Sequence, residues 1–226
     1  MKSLLTSVLV LVITSFSFAQ EAQNRSVGAF TGVKVQEGID VYLKKGDKES
    51  VRVEVYGTRV DNVITEVSGS YLKVHMREDN RGNVNVKVYV TYVKIDKLSA
   101  SSAGSIYSEG TIEANSLEIS SSSAANVEIA INAGTVEISS SSAGEVEVKG
   151  KAKSVTAEAS SAGEIDAYDL EAQKVNAEAS SAGSIKINAT VELDAHASSG
   201  GSIRFRGNPD RSNTNSSSGG SVKKSN

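Results

Sequence analysis

Residues 157–163 read Ala-Glu-Ala-Ser-Ser-Ala-Gly, and the same seven residues return at 177–183. The last four residues of this stretch, two serines and two small residues, return as related tetrads toward both ends of the chain. Successive tetrads begin 18 to 21 residues apart. Seven copies at nearly constant spacing indicate a structural repeat and exclude a low-complexity tract. The copies are SSAG at 101–104, SSAA at 122–125, SSAG at 141–144, SSAG at 160–163, SSAG at 180–183, SSGG at 198–201 and SSGG at 217–220.

Apolar and polar residues alternate on both sides of the tetrads. Val136 and Ile138 precede one tetrad, and Val146 and Val148 follow it, each pair separated by a glutamate. A period of two residues is typical of β-strands. A unit of about 19 residues that restarts in the same phase therefore predicts an all-β chain folded as a parallel β-solenoid, with coils stacked ~4.8 Å apart.

Counting by twos from the inward aliphatic residues places the second serine of each tetrad on the inward side, together with Ser140 or Ala159 two residues earlier. We expect these serines to form a ladder bonded to neighbours or to turn carbonyls, because an unpaired buried hydroxyl costs ~1–3 kcal/mol. The terminal glycine would permit a bend or a close backbone approach. Equivalent serines without a partnered base favour this structural role over that of a nucleophile. The serines assigned inward are Ser102, Ser123, Ser142, Ser161, Ser181, Ser199 and Ser218.

Bulkier residues alternate between residues 26 and 98, where the pattern predicts about five strands separated by glycine-containing turns. Most of the tyrosines lie in this part, so we expect them mainly in a larger core. Tyr42, Tyr107 and Tyr168 are candidates to stack on a sugar if they are exposed. No linker composition interrupts the chain before Leu98, which indicates one continuous body.

Residues 1–19 have the pattern of a secretory signal peptide, with one lysine, an apolar run and small residues before a cleavage point after Ala19. The mature chain is expected to be exported, to the periplasm, the outer surface or the extracellular space of a bacterium, and not inserted in a membrane. The absence of cysteine excludes disulfides and thiolate chemistry. A net charge of −3 gives no basic footprint for nucleic acid.

Several stretches taken in order resemble a known family. They are FTGVKV at 30–35, GIDVYL at 38–43, Gly46-Asp47, VYVT at 88–91 and LSASSAG at 98–104. Over roughly residues 28–208 the chain resembles the putative auto-transporter adhesin, head GIN domain family of exported bacterial proteins. The resemblance implies a right-handed parallel β-helix akin to pectin lyases and a role in cell adhesion, with no catalytic site carried over. The chain departs from the family at Val93-Lys94, where a proline is common, and in having Ser-Ala-Gly instead of Gly-Ser-Gly turns.

Stacked coils convert the sequence period into ladders of outward side chains. One such ladder is predicted to change from acidic to basic along the stack, because it contains Glu128, Glu147, Asp166, Lys186 and Arg204. Its three carboxylates are weak candidates for a Ca²⁺ site, although the simpler interpretation is a solvated face and no metal is predicted.

A second ladder contains Ser120, Ser139, Glu158, Glu178 and His196. Glu158, Glu178 and His196 are the candidate ligand-binding residues, and paired carboxylates in a β-helix would also suit acid-base attack on a glycan. A solvated face is again the alternative. No phosphate loop, zinc spacing or nucleophile elbow is present in the sequence, and no cofactor is predicted.

These patterns predict a signal peptide at 1–19, a strand-rich beginning at 20–97, repeat coils at 98–206 and a C-terminal cap or tail at 207–226. The predicted function is that of a non-catalytic exported adhesin that binds a polysaccharide or a surface protein through an extended face. A glycan-active lyase or hydrolase and a self-associating envelope protein, that is, a homo-oligomer, remain the alternatives.

Overall fold

The computed structural model describes residues 21–77 and 84–225. The predicted signal peptide lies outside the described residues. Within them the chain forms a β-solenoid of about seven coils with a repeat spacing near 19 residues, which confirms the predicted fold class.

In the described residues, sixteen strands build the solenoid, and a short 3₁₀ helix at Val60–Asn62 joins two of them. The strands are β1 (Glu21–Arg25), β2 (Gly32–Val35), β3 (Asp40–Lys45), β4 (Ser50–Tyr56), β5 (Val63–Ser68), β6 (Tyr71–Met76), β7 (Asn85–Tyr92), β8 (Lys97–Ala100), β9 (Ser105–Ser122), β10 (Asn126–Ser141), β11 (Glu145–Ala159), β12 (Glu164–Ala179), β13 (Ser184–Ala197), β14 (Ser202–Arg206), β15 (Arg211–Ser216) and β16 (Ser221–Lys224). The alternation predicts about five strands between residues 26 and 98, and the structure adds the short strands β5 and β8.

Each long strand from β9 to β13 runs from one tetrad to the next and pairs in parallel with the following one. Like residues therefore stack on like residues in the core. One such column contains Val127, Val146, Ile165, Ile185 and Ile203, all with no exposed surface. Burial of an aliphatic side chain of this size stabilises the fold by roughly 1.5–3 kcal/mol, so these columns hold the stack together.

The coils of the N-terminal part are not stacked in sequence order. The first coil, β2 and β3, lies between the coil of β6 and β7 on one side and β8 and β9 on the other. The strands β4 and β5 then add antiparallel to β7 and β6, and β1 adds antiparallel to β4. Antiparallel hairpins thus close this end of an otherwise parallel solenoid.

The tetrads form the tight turns between coils. In residues 101–104 the amide of Gly104 donates to the carbonyl of Ser101 at 3.0 Å, and the two central residues have φ of 50° and 60°. This is the arrangement of a type I′ turn, which leaves both central side chains pointing away from the core. The amide of the second central residue then donates to the next coil, as from Ala143 to the carbonyl of Ser161 at 3.2 Å. These bonds offset the cost of left-handed backbone at serine and alanine.

The predicted inward phase of the second serines is therefore wrong. Ser102, Ser123, Ser142, Ser161, Ser181, Ser199 and Ser218 are all exposed, and all have positive φ. Counting by twos fails here because two consecutive left-handed residues turn the chain outward.

The inward small residues are those two positions earlier, and the alanines or serines there are buried in the first six copies. In the last copy the equivalent residue, Ser216, is exposed. Ser121 and Ser140 each donate a hydroxyl to a turn carbonyl, of Ala125 at 2.8 Å and of Gly144 at 2.7 Å. The expected satisfaction of buried hydroxyls by turn carbonyls is thus confirmed at these two serines.

The C-terminal end continues the solenoid after residues 207–210, which belong to no strand. The strand β15 pairs in parallel with β13, and β16 pairs in parallel with β14. Val222 of β16 packs against the core beside Ile203 and Phe205, which are buried. The last coil thus covers the final apolar layer with a short and mostly polar segment.

Candidate functional site

One outer face of the solenoid carries a single ladder of side chains along nearly its whole length. From the N-terminal end, register places Arg52, Tyr89, Tyr42 and Tyr107 in adjacent strands. The ladder continues through six charged residues, which we call the charge-sorted ladder: Glu128, Glu147, Asp166, Lys186, Arg204 and Lys223. The predicted register and the change from acidic to basic are confirmed.

Tyr89, Tyr42 and Tyr107 form a stack that we call the tyrosine ladder. The ring centroids of Tyr42 lie 5.3 Å from Tyr89 and 5.2 Å from Tyr107, with interplanar angles of 21° and 22°. The three rings are half-buried on the outer face. Their phenol hydroxyls make no hydrogen bond to any other described residue, so they can accept or donate bonds to a ligand.

The expectation that the tyrosines lie mainly in the core is wrong. Among the described tyrosines, Tyr92 is buried, with 4% exposure, and the others are half-buried or exposed. The reason is strand alternation: Tyr42 stands between Val41 and Leu43, which occupy the inward positions. The aromatic rings therefore belong to the surface, although their type alone favoured the interior.

The environment of the central tyrosine, Tyr42, changes the pKa of its phenol. Burial raises the pKa of the Tyr42 phenol above its ordinary value, and the carboxylate of Asp40 and the flanking tyrosines raise this pKa further. All of these causes disfavour the phenolate. At neutral pH the Tyr42 side chain consequently presents a neutral hydroxyl group.

A groove of about 370 Å³ lies beside the tyrosine ladder. Its lining combines the edges of Tyr42 and Tyr89 with polar and charged side chains. Arg52 is paired with Glu54 on the same strand, which leaves this part of the groove without strong net charge. The remaining lining residues include Lys44, Thr91 and Glu109.

A family model matches residues 29–209 of the chain, and it describes the putative auto-transporter adhesin, head GIN domain. The chain belongs to this family. Membership of an adhesin family indicates a cell-surface or exported protein. No curated protein matches the sequence.

Solved structures of similar fold include proteins described as putative adhesins. A putative adhesin from Bacteroides fragilis NCTC 9343 is 20% identical, with a TM-score of 0.83 over 92% of this chain and 98% of that chain. A putative adhesin from Parabacteroides merdae ATCC 43184 is 16% identical, with a TM-score of 0.70 over 92% of this chain and 96% of that chain. A structure from Parabacteroides distasonis ATCC 8503, named as a putative lipid binding protein, is 22% identical, with a TM-score of 0.65 over 92% and 97% of the two chains. At these identities the likeness concerns the fold alone.

The sugar-stacking role predicted for single tyrosines is restricted by the geometry of this GIN-family chain. Tyr42 is sandwiched between Tyr89 and Tyr107, so both faces of its ring are covered. The ring of Tyr168 is covered by the guanidinium of Arg206 at 4.0 Å, and its hydroxyl is 2.7 Å from that of Ser225. The tyrosine ladder thus offers a ligand its ring edges and hydroxyls more than its ring faces.

At the boundary of the charge-sorted ladder, Lys186 joins the acidic and basic halves. Its ammonium group donates to Asp166 at 2.8 Å and to Glu164 at 3.0 Å. The bond to Asp166, followed by the bond to Glu164, raises the pKa of Lys186 above its ordinary value. Lys186 is therefore fully charged under physiological conditions.

The second predicted ladder is also in register but forms no enclosed site. Glu158, Glu178 and His196 occupy adjacent strands and are exposed. None of them bonds to another side chain in the part of the chain that the structure describes. The structure brings them together as neighbours on an open face.

The three carboxylates in the acidic half of the charge-sorted ladder are not gathered into a cluster of metal-ligating side chains. Glu128 and Glu147 are exposed, and Asp166 is engaged by Lys186. Across residues 21–77 and 84–225, no group of three or more histidine, aspartate or glutamate side chains is placed to hold a metal ion. In the same residues, no helix is long and apolar enough to cross a membrane.

Proposed function

We propose that this protein is an exported, non-catalytic adhesin that binds an extended polysaccharide along the tyrosine ladder and the groove beside it. The observation that carries the proposal is the stack of Tyr89, Tyr42 and Tyr107 on the outer face, with three phenol hydroxyls that no other described residue engages. The adhesin family and the adhesins of similar fold support the general role.

The chemistry of the ladder suits a polysaccharide. Sugars present many hydroxyl groups, and the ladder repeats a hydroxyl group from coil to coil at ring spacings of 5.2 and 5.3 Å. A polymer that repeats its own groups along an extended chain can meet such a row at successive units. The adjoining Lys44, Thr91 and Glu109 add a cation, a hydroxyl and a carboxylate for hydrogen bonding.

The open geometry of the second ladder supports a binding role over a catalytic one. Glycoside hydrolysis needs two carboxylates that flank the scissile bond, one of them in an environment that keeps it protonated. Glu158 and Glu178 stand side by side on one exposed face. Water has free access to both, and such an open face favours a binding surface over a site for acid-base hydrolysis.

The experiment is a glycan-array screen with the mature chain, residues 20–226, followed by titration of the glycans that bind. The test variant combines Tyr89→Phe with Tyr107→Phe, which removes two hydroxyls and keeps the ring stack. We expect the affinity to fall about tenfold, since each hydrogen bond contributes roughly 0.5–1.5 kcal/mol. Tyr71→Phe is the matched control because Tyr71 is half-buried on strand β6, which belongs to the other face.

Three results would contradict the proposal. They are an array without a bound glycan, equal affinity in the ladder variant and the parent, and loss of binding in Glu158→Gln with Glu178→Gln while the ladder variant still binds. Binding to neutral phospholipid vesicles without any glycan would instead support a lipid ligand of the kind named for the relative from Parabacteroides distasonis.

A further inference from the structure

The charges of the charge-sorted ladder, read from one end of the solenoid, are opposite in sign to the charges read from the other end. Three acidic residues, Glu128, Glu147 and Asp166, are followed by three basic ones, Lys186, Arg204 and Lys223, one per coil. The boundary lies between Asp166 and Lys186, which already pair at 2.8 Å.

The four residues away from this boundary lack partners within their own chain. Glu128, Glu147, Arg204 and Lys223 are exposed and make no ion pair with any described residue. Each has a like charge one coil away, at a spacing of ~4.8 Å, which is unfavourable. An opposing surface with the inverse order of charges would relieve both repulsions.

We propose that two copies of this chain pair face to face through the charge-sorted ladder, with their solenoid axes antiparallel. A two-fold axis along the strand direction, through the boundary between Asp166 and Lys186, sets Glu147 opposite Arg204 of the second copy. The same rotation sets Glu128 opposite Lys223 of the second copy. Each contact occurs twice, as in any isologous interface.

The flanking residues fit the same arrangement. The acidic half also carries Glu145 and Glu164, which face Ser202 and Ser184 of the second copy, small side chains that do not obstruct approach. On the other side Lys149 would face Arg206, the one unfavourable pair. The guanidinium of Arg206 is held over the ring of Tyr168, and Lys149 is exposed and free to turn away.

Charge complementarity selects a second copy as the occupant. A polyanion attracted to Arg204 and Lys223 would be repelled by the adjacent carboxylates, and a polycation would meet the opposite conflict. A second copy presents both signs at the correct spacing. The six coils in contact span ~24 Å along the stack. A contact of this length buries less surface than a standard stable interface. The pairing is therefore weak, and it depends on ionic strength.

The proposal is tested by sedimentation of the mature chain over a range of protein concentrations, which measures the dissociation constant of the dimer. The measurement is made at about 20 mM and at about 500 mM salt, because the electrostatic screening lengths at these two concentrations differ severalfold. We expect reversible dimers at low salt and at least a tenfold higher dissociation constant at high salt. Glu147→Lys and Arg204→Glu should each raise the dissociation constant at least tenfold, because each sets like charges opposite one another twice. Each reversal also removes like-charge repulsion within the chain, so the variants should fold.

The decisive experiment mixes the two single variants in equal amounts. In the antiparallel pairing the two substituted side chains, one on each copy, meet as a new ion pair of reversed polarity. The unchanged Arg204 of the first copy then meets the unchanged Glu147 of the second. The mixture should therefore dimerise within about threefold of the parent, although each variant alone does not.

The control for these reversals is Glu158→Lys, which makes the same charge change on the other face and should leave dimerisation unchanged. Three results would each overturn the proposal. They are a chain that stays monomeric at every concentration, a dissociation constant that neither charge reversal changes, and a mixture of the two variants that dimerises no more tightly than each variant alone.

Discussion

At the scale of single residues, a tight constraint lies in the glycine that ends six of the seven turns. Gly163 has an ordinary backbone conformation, so its requirement comes from space. A Cβ atom there would lie 2.4 Å from the carbonyl oxygen of Ser140 in the preceding coil. Gly183, Gly201 and Gly220 face the same kind of carbonyl at 2.3 Å. The coil spacing therefore selects glycine by contact between backbones.

Gly163→Ala should lower the free energy of unfolding by about 1–3 kcal/mol, the usual cost of overpacking. The cost arises because backbone atoms of two paired coils must separate, and no flexible side chain can move instead. Denaturant unfolding of the chain from residue 20 onward measures this loss of stability. Gly28→Ala is the matched control, since a Cβ at Gly28 meets nothing within 4 Å. Equal stability of the two variants would show that the coils are not held at this spacing.

The residue scale also shows why the repeat could be predicted while its phase could not. The alternation of Val146 and Val148 with glutamates fixes which strand residues point inward. The alternation of inward and outward residues does not continue across Ser142 and Ala143, because both adopt left-handed backbone conformations. Only the three-dimensional stacking of the turns, amide to carbonyl, stabilises this conformation for residues other than glycine.

At the scale of the element, the tyrosine ladder is produced by three strands that are distant in sequence. The alternation of Val88, Tyr89 and Val90 was available in the sequence and would have placed the ring outside. The stacking itself was not available, because it depends on β3 lying between β7 and β9. The outward position of each single tyrosine could consequently be predicted from the sequence. The stacking of the three rings could not.

The central ring of this ladder should have a measurable titration signature. The pKa of the Tyr42 phenol is raised above 10.0 in the folded chain, so folding favours its protonated form. The resulting stability is fully present below about pH 10 and is lost as the pH rises through the folded pKa. The difference in phenolate absorbance between the parent and Tyr42→Phe should have its midpoint above pH 10 in the native state.

The denatured chains provide the control for this titration. In denaturant the same difference spectrum should move to about pH 10, the ordinary value for tyrosine. The stability of Tyr42→Phe should also decline less steeply than that of the parent in alkaline solution. A native midpoint equal to the denatured one would mean that the ring is solvated and that the stack opens in solution.

At the scale of the whole molecule, the two ends of the solenoid are closed in different ways. Antiparallel strands β1, β4 and β5 close the N-terminal end, and the polar strands β15 and β16 cover the other. The repeat spacing could predict the length of the stack. It could not predict the N-terminal closure, which depends on pairing between residues that no periodicity relates.

Removal of residues 207–226 should expose Ile203 and Phe205, which are buried in the intact chain. Burial of such side chains contributes roughly 1.5–3 kcal/mol each, so the truncated protein should unfold at a lower temperature. It should also aggregate, because β14 becomes an uncovered edge strand. Light scattering during a thermal scan measures both effects.

The matched control for this truncation removes residues 225–226 alone, which leaves β15 and β16 in place. This shorter deletion should change the melting temperature much less than the loss of the whole segment. A chain ending at residue 206 that stays monomeric and equally heat-stable would show that the last coil is dispensable.

The placement of β2 and β3 between later coils also fixes an order of assembly. The first coil has no neighbour to pair with until β6 to β8 exist, so roughly a hundred residues must be available before it is held on both sides. Each repeat after β9 needs only the coil before it. We expect slow, non-local closure of the N-terminal unit to limit the rate of folding, followed by rapid growth coil by coil toward the C-terminus in the direction in which the chain is synthesised.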